Sequence, residues 1–314
     1  MRGTIVRRSL AGAMALAAAA ALAVTSAGNA AAVGTPTGFG AGTTGGGNAS
    51  PVTVSNSSAL LSALRASGPG VIRVSGMISI SGMQDIGSNK TLIGVGSGSG
   101  ITGGGIDVDG VSNVIIQNLN FRDWADDGIN VQDGSTRIWI DHNNFSNGYD
   151  GAVDIKRGSD YITVSWNRFF DHDKAMLLGH SDGNGSQDRG HLRVSYHHNW
   201  FDGTTQRHPR VRFGNPVHVY NNYYDGVGDY GVASTVEAGV LVEGNYFENT
   251  DSPCELGQGS SPAGNLVARN NTFVSSGSCA VRGSVNGIPY SYSLDSSGSV
   301  KSIVTGGAGV GKVA

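Results

Sequence analysis

Cysteine is scarce: the 314 residues hold two, Cys254 and Cys279. Two isolated thiols without paired spacing exclude a zinc finger or ribbon. Proline is also rare at 8, and charged residues reach only 14% against 39% apolar. That is the composition of a globular chain rather than a disordered one. Cations do not dominate either. The net charge is −3, which argues against generic binding to nucleic acid or to an anionic membrane. An anionic ligand would have to meet a local cluster of positive charge. No helix-length amphipathic pattern separates the strand-like segments. Crossover helices are therefore missing, which excludes an α/β barrel or a doubly wound sheet.

Glycine is plentiful, at 50. With no Gly-X-Y period this is not collagen, and the count points to many tight turns. The first 32 residues differ from the rest. Arg2, Arg7 and Arg8 precede an Ala/Leu/Val run from Leu10 to about Val24, then small residues ending in Ala30-Ala31-Ala32. This is the pattern of a cleaved secretory signal, in a run short of the ~20 apolar residues a membrane span needs. The expected organisation is a signal peptide over 1–32, a single domain over 33–314 and an extracellular product. The flanks of Arg7-Arg8 match twin-arginine export poorly, which favours the general route. Loss of those three arginines takes the net charge from −3 to −6.

One pattern recurs along the exported part: a β-branched strand, then Asn, any residue and an aromatic. It ends at Phe145, Phe169, Phe201, Tyr223, Phe247 and Phe273, with a weaker copy ending at Phe121. The intervals are 24, 24, 32, 22, 24 and 26 residues. Regular spacing of that size signals a repeat architecture, and period-two alternation signals half-buried strands. A propeller needs blades nearer ~40 residues. An all-β parallel β-helix fits, each coil reading strand, turn, strand, turn. Asn143, Asn167, Asn199, Asn221, Asn245 and Asn271 would then form an amide ladder above stacked internal aromatics. Ser57–Ser67, with Leu60, Leu61 and Leu64 after Asn56-Ser57-Ser58, reads as a short N-terminal capping helix. Cys254 and Cys279 are 25 residues apart, about one coil. Stacking brings them near disulfide distance, the alternative being two buried free thiols.

The charges share a phase with those anchors. Asp127 lies 6 after Phe121, Asp150 lies 5 after Phe145, Lys174 lies 5 after Phe169 and Arg207 lies 6 after Phe201. Four consecutive coils thus place two carboxylates and then two cations in one column. Asp154 and Arg212 enlarge the same patch. Clustered carboxylates repel unless a cation lies between them, and Ca2+ tolerates an open oxygen site. The lysine and arginines suit an incoming anion. A solvated face of surface ion pairs is the competing reading, and such pairs contribute little.

At this point the residues are recognisable. IWIDH at 138–142, DGAVDIKRGSDYITVSWNRF at 150–169, DHDKAMLLGHSD at 171–182, RHPRVRFG at 207–214 and TLIGVGSGSGI at 91–101 together resemble the pectate lyase superfamily of polysaccharide lyases. The resemblance covers essentially the whole exported chain. It implies a right-handed, single-stranded parallel β-helix and Ca2+-dependent eliminative cleavage of polygalacturonate. It implies that Asp127, Asp150 and Asp154 hold the primary Ca2+, with Asp126 as an accessory ligand. Lys174 and Arg212 would grip substrate carboxylate. Arg207 would be the base that takes the C5 proton. A guanidinium base requires neighbouring positive charge to favour its neutral form, which predicts an alkaline optimum.

Other residues carry weaker signals. Asp141-His142 resembles a catalytic dyad but ends a repeat strand, so it reads as buried structure. His172, His180, His197, His198 and His208 fit no metal spacing. The insertion at 181–191 is either a lobe by the cleft or a surface loop, and 147–149 reads as a turn. Competing functions are a pectin lyase acting on methylated substrate, a β-helix hydrolase with paired carboxylates, and a non-catalytic polysaccharide binder. A monomer is the default for a closed solenoid.

Overall fold

The computed structural model describes residues 34–313 with Met1 and Gly3, so the expected signal segment lies outside the described residues. The Val- and Ile-rich segments stack in parallel into sheets of 10 and 15 strands. Each strand pairs with its counterpart one coil away, as Val164 does with Tyr196 and Phe169 with Phe201. The chain is therefore an all-β parallel solenoid.

A coil holds three strands, not two. One coil runs through Ile129–Gln132, Thr136–Asp141 and Asn144–Ser146. The extra corner comes from a left-handed residue just before each ladder asparagine: His142, Trp166, His198 and Asn221, with φ of 52°, 53°, 56° and 50°. One residue in that conformation turns the chain sharply, and the aromatic anchor sits at the centre of the next three-residue strand.

The amide ladder is continuous. Asn143, Asn167, Asn199, Asn222 and Asn245 each donate from Nδ2 to the next Oδ1, ending on Asn271, at 3.0 to 3.1 Å. Its fourth member corrects the expectation: it is Asn222, not Asn221. Asn221 occupies the left-handed corner, which shifts ladder and anchor on by one residue. Tyr224, not Tyr223, therefore stacks between Phe201 and Phe247. Tyr223 faces outward against Val300 and Val304. The internal rings from Phe121 to Phe273 follow one another at 4.3 to 5.3 Å.

The first coil is closed by α1 (Ser57–Arg65). Asn56 Oδ1 accepts from the Ala59 backbone N–H at 3.0 Å, and Leu60 and Leu64 are fully buried. The long coil carries a short α2 (Gly185–Asp188). Near the far end, Cys254 and Cys279 form a disulfide with Cα atoms 4.3 Å apart.

Two straps run across the outside of the solenoid, the N-terminal one over the ten-stranded sheet. The N-terminal strap bonds Ser195, Thr163, Asn113 and Thr91 in that order through the backbone N–H groups of Phe39, Gly40, Gly45 and Gly46. Glycine is required where it passes closest: a Cβ on Gly45 would lie 2.2 Å from Thr91 Oγ1, at φ +55°. The C-terminal strap begins with Tyr290, continues through α3 (Val300–Gly307) and reaches the Asn118 side chain through Gly311 N–H. No helix among the described residues is long and apolar enough to cross a membrane.

Candidate active site

The charged column sits at the turns that lead into one strand stack of the larger sheet. Asp154 lies in Val153–Ile155 and Arg212 in Arg210–Arg212. Asp127, Asp150, Lys174 and Arg207 occupy the turns just before successive strands. Parallel stacking converts positions 23 to 33 residues apart into neighbours. Asp150 is the meeting point. Its Oδ1 lies 3.1 Å from Lys174 Nζ and 3.6 Å from Arg207 Nη1.

Asp127 and Asp154 are almost fully buried, at 6% and 4% exposure. Burial pushes Asp127 up to about 6, with Asp126 and Asp150 adding repulsion against the pull of Lys156. Burial pushes Asp154 up to about 7, and the Asp127 charge adds to it. Carboxylates held this way favour a proton or a cation between them. Among the described residues no three His, Cys, Asp or Glu side chains are grouped closely enough to hold a metal ion. Carboxylate oxygens are nevertheless the donors a hard cation prefers, and Ca2+ tolerates an open site with room for further ligands. Arg207 Nε is buried without a hydrogen-bond partner among the described residues.

Arg212 stands apart from this group. Its Nε donates to Asp182 Oδ1 at 2.5 Å and its Nη1 to the Gly179 carbonyl at 2.9 Å. Asp182 also accepts from Ser261 at 2.7 Å. The insertion at 181–191 therefore reaches the site, through Asp182. Gly179 makes room for Arg212, since a Cβ there would lie 2.8 Å from the arginine's Cβ, at φ +83°. Asp126 is exposed, and its carbonyl accepts from Asp150 N–H at 3.0 Å.

Sequence reading missed Lys156. Its Nζ lies 3.6 Å from Asp127 Oδ2. The signal was present: Lys156 follows Asp154 by two, one residue past the end of its strand, and alternation along extended backbone turns both the same way. Arg210 was also passed over. Burial lowers its pKa, and its Nη2 donates to the Gln258 carbonyl and Ser261 Oγ.

The histidines belong elsewhere. His208 is fully buried between Thr204 Oγ1 and the Tyr230 carbonyl, each at 2.8 Å, and burial lowers it to about 4. The His172 ring bonds the Lys174 carbonyl at 2.9 Å. Asp141 is buried and accepts from Ser165, Gln117 and His142. It is the hub of a polar lattice, as the dyad's position at a strand end implied. A cavity of 470 Å³ beside it, between the two straps, is lined by Trp139, Trp166, His198 and Tyr292. It lies on a different flank from the charged column.

Comparison with known proteins gives one answer along the whole chain. A family described as "Pectate lyase" matches residues 4–313. Pectate lyase A of Emericella nidulans is 39% identical over 278 residues, covering 85% of this chain and 83% of its own. Pectate trisaccharide-lyase of Bacillus licheniformis is 38% identical over 295 residues, covering 87% and 84%. The crystal structure of a pectate lyase from Bacillus sp. N165 in complex with trigalacturonate superposes with a TM-score of 0.81 at 33% identity, covering 89% of this chain and all of that one. With the solenoid, its ladder and the match from end to end in agreement, the chain belongs to the pectate lyase family of polysaccharide lyases.

Proposed function

We propose that this is a secreted, monomeric, Ca2+-dependent pectate lyase that cleaves (1→4)-α-D-galacturonan into 4,5-unsaturated oligogalacturonides. The observation that carries the reading is Asp150, whose carboxylate lies between Lys174 and Arg207 beside two buried carboxylates. The relatives are named as pectate lyases and one was solved with trigalacturonate, which supports a pectate substrate.

Asp127, Asp150 and Asp154 would hold Ca2+, with Asp126 adjacent; the ion would neutralise the uronate carboxylate and so acidify the C5 proton. As a ligand of that ion, Asp150 would no longer be held by Lys174 and Arg207, the two cations it pairs with here. Lys174 would then be free to meet a substrate carboxylate as a compact charge. Arg207, acting as a neutral guanidine, would take the proton from C5. The C5–H electrons form the C4–C5 double bond, the C4–O bond breaks, and the leaving oxygen is protonated from solvent. Arg212, held by Asp182, the Gly179 carbonyl and Ser261, fixes the wall of the site.

The test is ultraviolet absorbance during incubation with polygalacturonate, with Ca2+ or a chelator, for wild type and Arg207→Ala. The expected result is an unsaturated product that needs both Ca2+ and Arg207. New reducing ends without unsaturation would mean a hydrolase. Product formed only from methylated pectin, and indifferent to chelator, would mean a pectin lyase.

A further inference from the structure

Tyr149 is an anomaly in a protein that buries its aromatic rings. It is 77% exposed. Its side chain has no ring contact, hydrogen bond or ion pair among the described residues. Tyr161, the next most exposed aromatic at 43%, is covered by the Arg193 guanidinium at 4.3 Å. A single exposed aromatic is ordinary on a protein surface. The position of this one is not ordinary, because it immediately precedes Asp150.

Its turn is also held rigidly. Tyr149 N–H donates to the Trp124 carbonyl and Asp150 N–H to the Asp126 carbonyl, both at 3.0 Å. Asn147 donates from its backbone to the Asp171 carbonyl at 3.0 Å and from Nδ2 to Asp123 Oδ1 at 2.5 Å. Gly148 lies flat on the Trp124 ring, where a Cβ would come within 1.8 Å of it. The backbone under the bare ring is therefore fixed from both neighbouring coils.

We infer that Tyr149 is a stacking platform for a uronate pyranose ring, adjoining the sugar held over Asp150, Lys174 and Arg207. A pyranose has an apolar C–H face that packs on an aromatic face, whose negative quadrupole favours C–H edges and disfavours a carboxylate. The platform thus selects the face of the sugar and turns its carboxylate toward the neighbouring cations. This rests on the lyase reading above.

Tyr149→Ala and Tyr149→Phe test it, assayed on trigalacturonate and polygalacturonate with Ca2+. For Tyr149→Ala, KM for trigalacturonate should rise about five- to tenfold with kcat within about twofold, while Tyr149→Phe stays near wild type, since the ring face is kept. Melting temperature and Ca2+ titration should not change in either variant. Retardation in polygalacturonate gels reads binding without chemistry, and Tyr149→Ala should be retarded less than wild type. A folded Tyr149→Ala with wild-type KM and mobility overturns the platform, as does a loss confined to kcat. Wild type that yields no unsaturated product, yet is retarded more than Tyr149→Ala, sinks the lyase reading and keeps the platform. Wild type that neither reacts nor is retarded sinks both.

Discussion

At the scale of single residues, the ladder and the site respond to different losses. Asn167 is fully buried and makes four hydrogen bonds, to Asn143 backbone and side chain, the Ile140 carbonyl and Asn199. Asn167→Ala strands several of those groups and should lower stability by about 3 kcal/mol, each orphaned group costing about 1–3. Denaturant unfolding measures it. Gly179→Ala acts differently, since its Cβ would collide with Arg212 at a left-handed position. Activity should fall at least about tenfold through displaced geometry near the reacting sugar, read as product formation in protein that remains folded. The charged residues were legible in the sequence because counting from an aromatic anchor reproduces the stacking. Lys156 was missed because that count followed turns and ignored the strand after Asp154. The ladder slipped at Asn221 because two adjacent asparagines and two adjacent tyrosines offer equally good registers. Only the left-handed corner at Asn221 decides between them.

Among the elements, α1 was readable from its cap and its leucine spacing. The third strand of each coil was not, because three-residue strands carry too little periodicity to announce themselves. Asn56→Ala removes the cap that accepts from Ala59 N–H. It should cost about 1 kcal/mol, seen as a lower denaturant midpoint, with no effect on KM since α1 is remote from the charged column. The C-terminal helix α3 also escaped the sequence. Its apolar contacts are Val300, Val304 and Ala308 against Tyr223, Trp166, Trp200 and Tyr246, a patch made by outward residues of several coils. No local pattern encodes a surface assembled by stacking. The insertion shows the same limit: Asp182 reaches Arg212 across 30 residues of sequence.

For the whole molecule, pH and metal act together. Asp127 and Asp154 have folded values raised above the ordinary 3.8, to about 6 and about 7. The folded state therefore binds these protons more tightly than the unfolded chain does. Their contribution to stability falls as pH rises from about 4 through about 7, and a cation that takes the protons' place restores it. In chelator, the melting temperature should drop on going from pH 5 to pH 8 relative to a sample with Ca2+. Apparent Ca2+ affinity should rise over the same interval, with proton release in calorimetry. A Ca2+ affinity that is flat between those pH values would rule out these carboxylates as the ligands.

The N-terminal strap sets an order of events. Its partners run from Ser195 back to Thr91, so Phe39 and Gly40 have no seat until coils more than a hundred residues later in the chain exist. Contacts of such long sequence separation form late. The opening stretch of the folded chain should therefore be the last to gain protection in pulse-labelled hydrogen exchange during refolding. Until it does, the outer face of the ten-stranded sheet stays uncovered, and the solenoid is built before it is sealed.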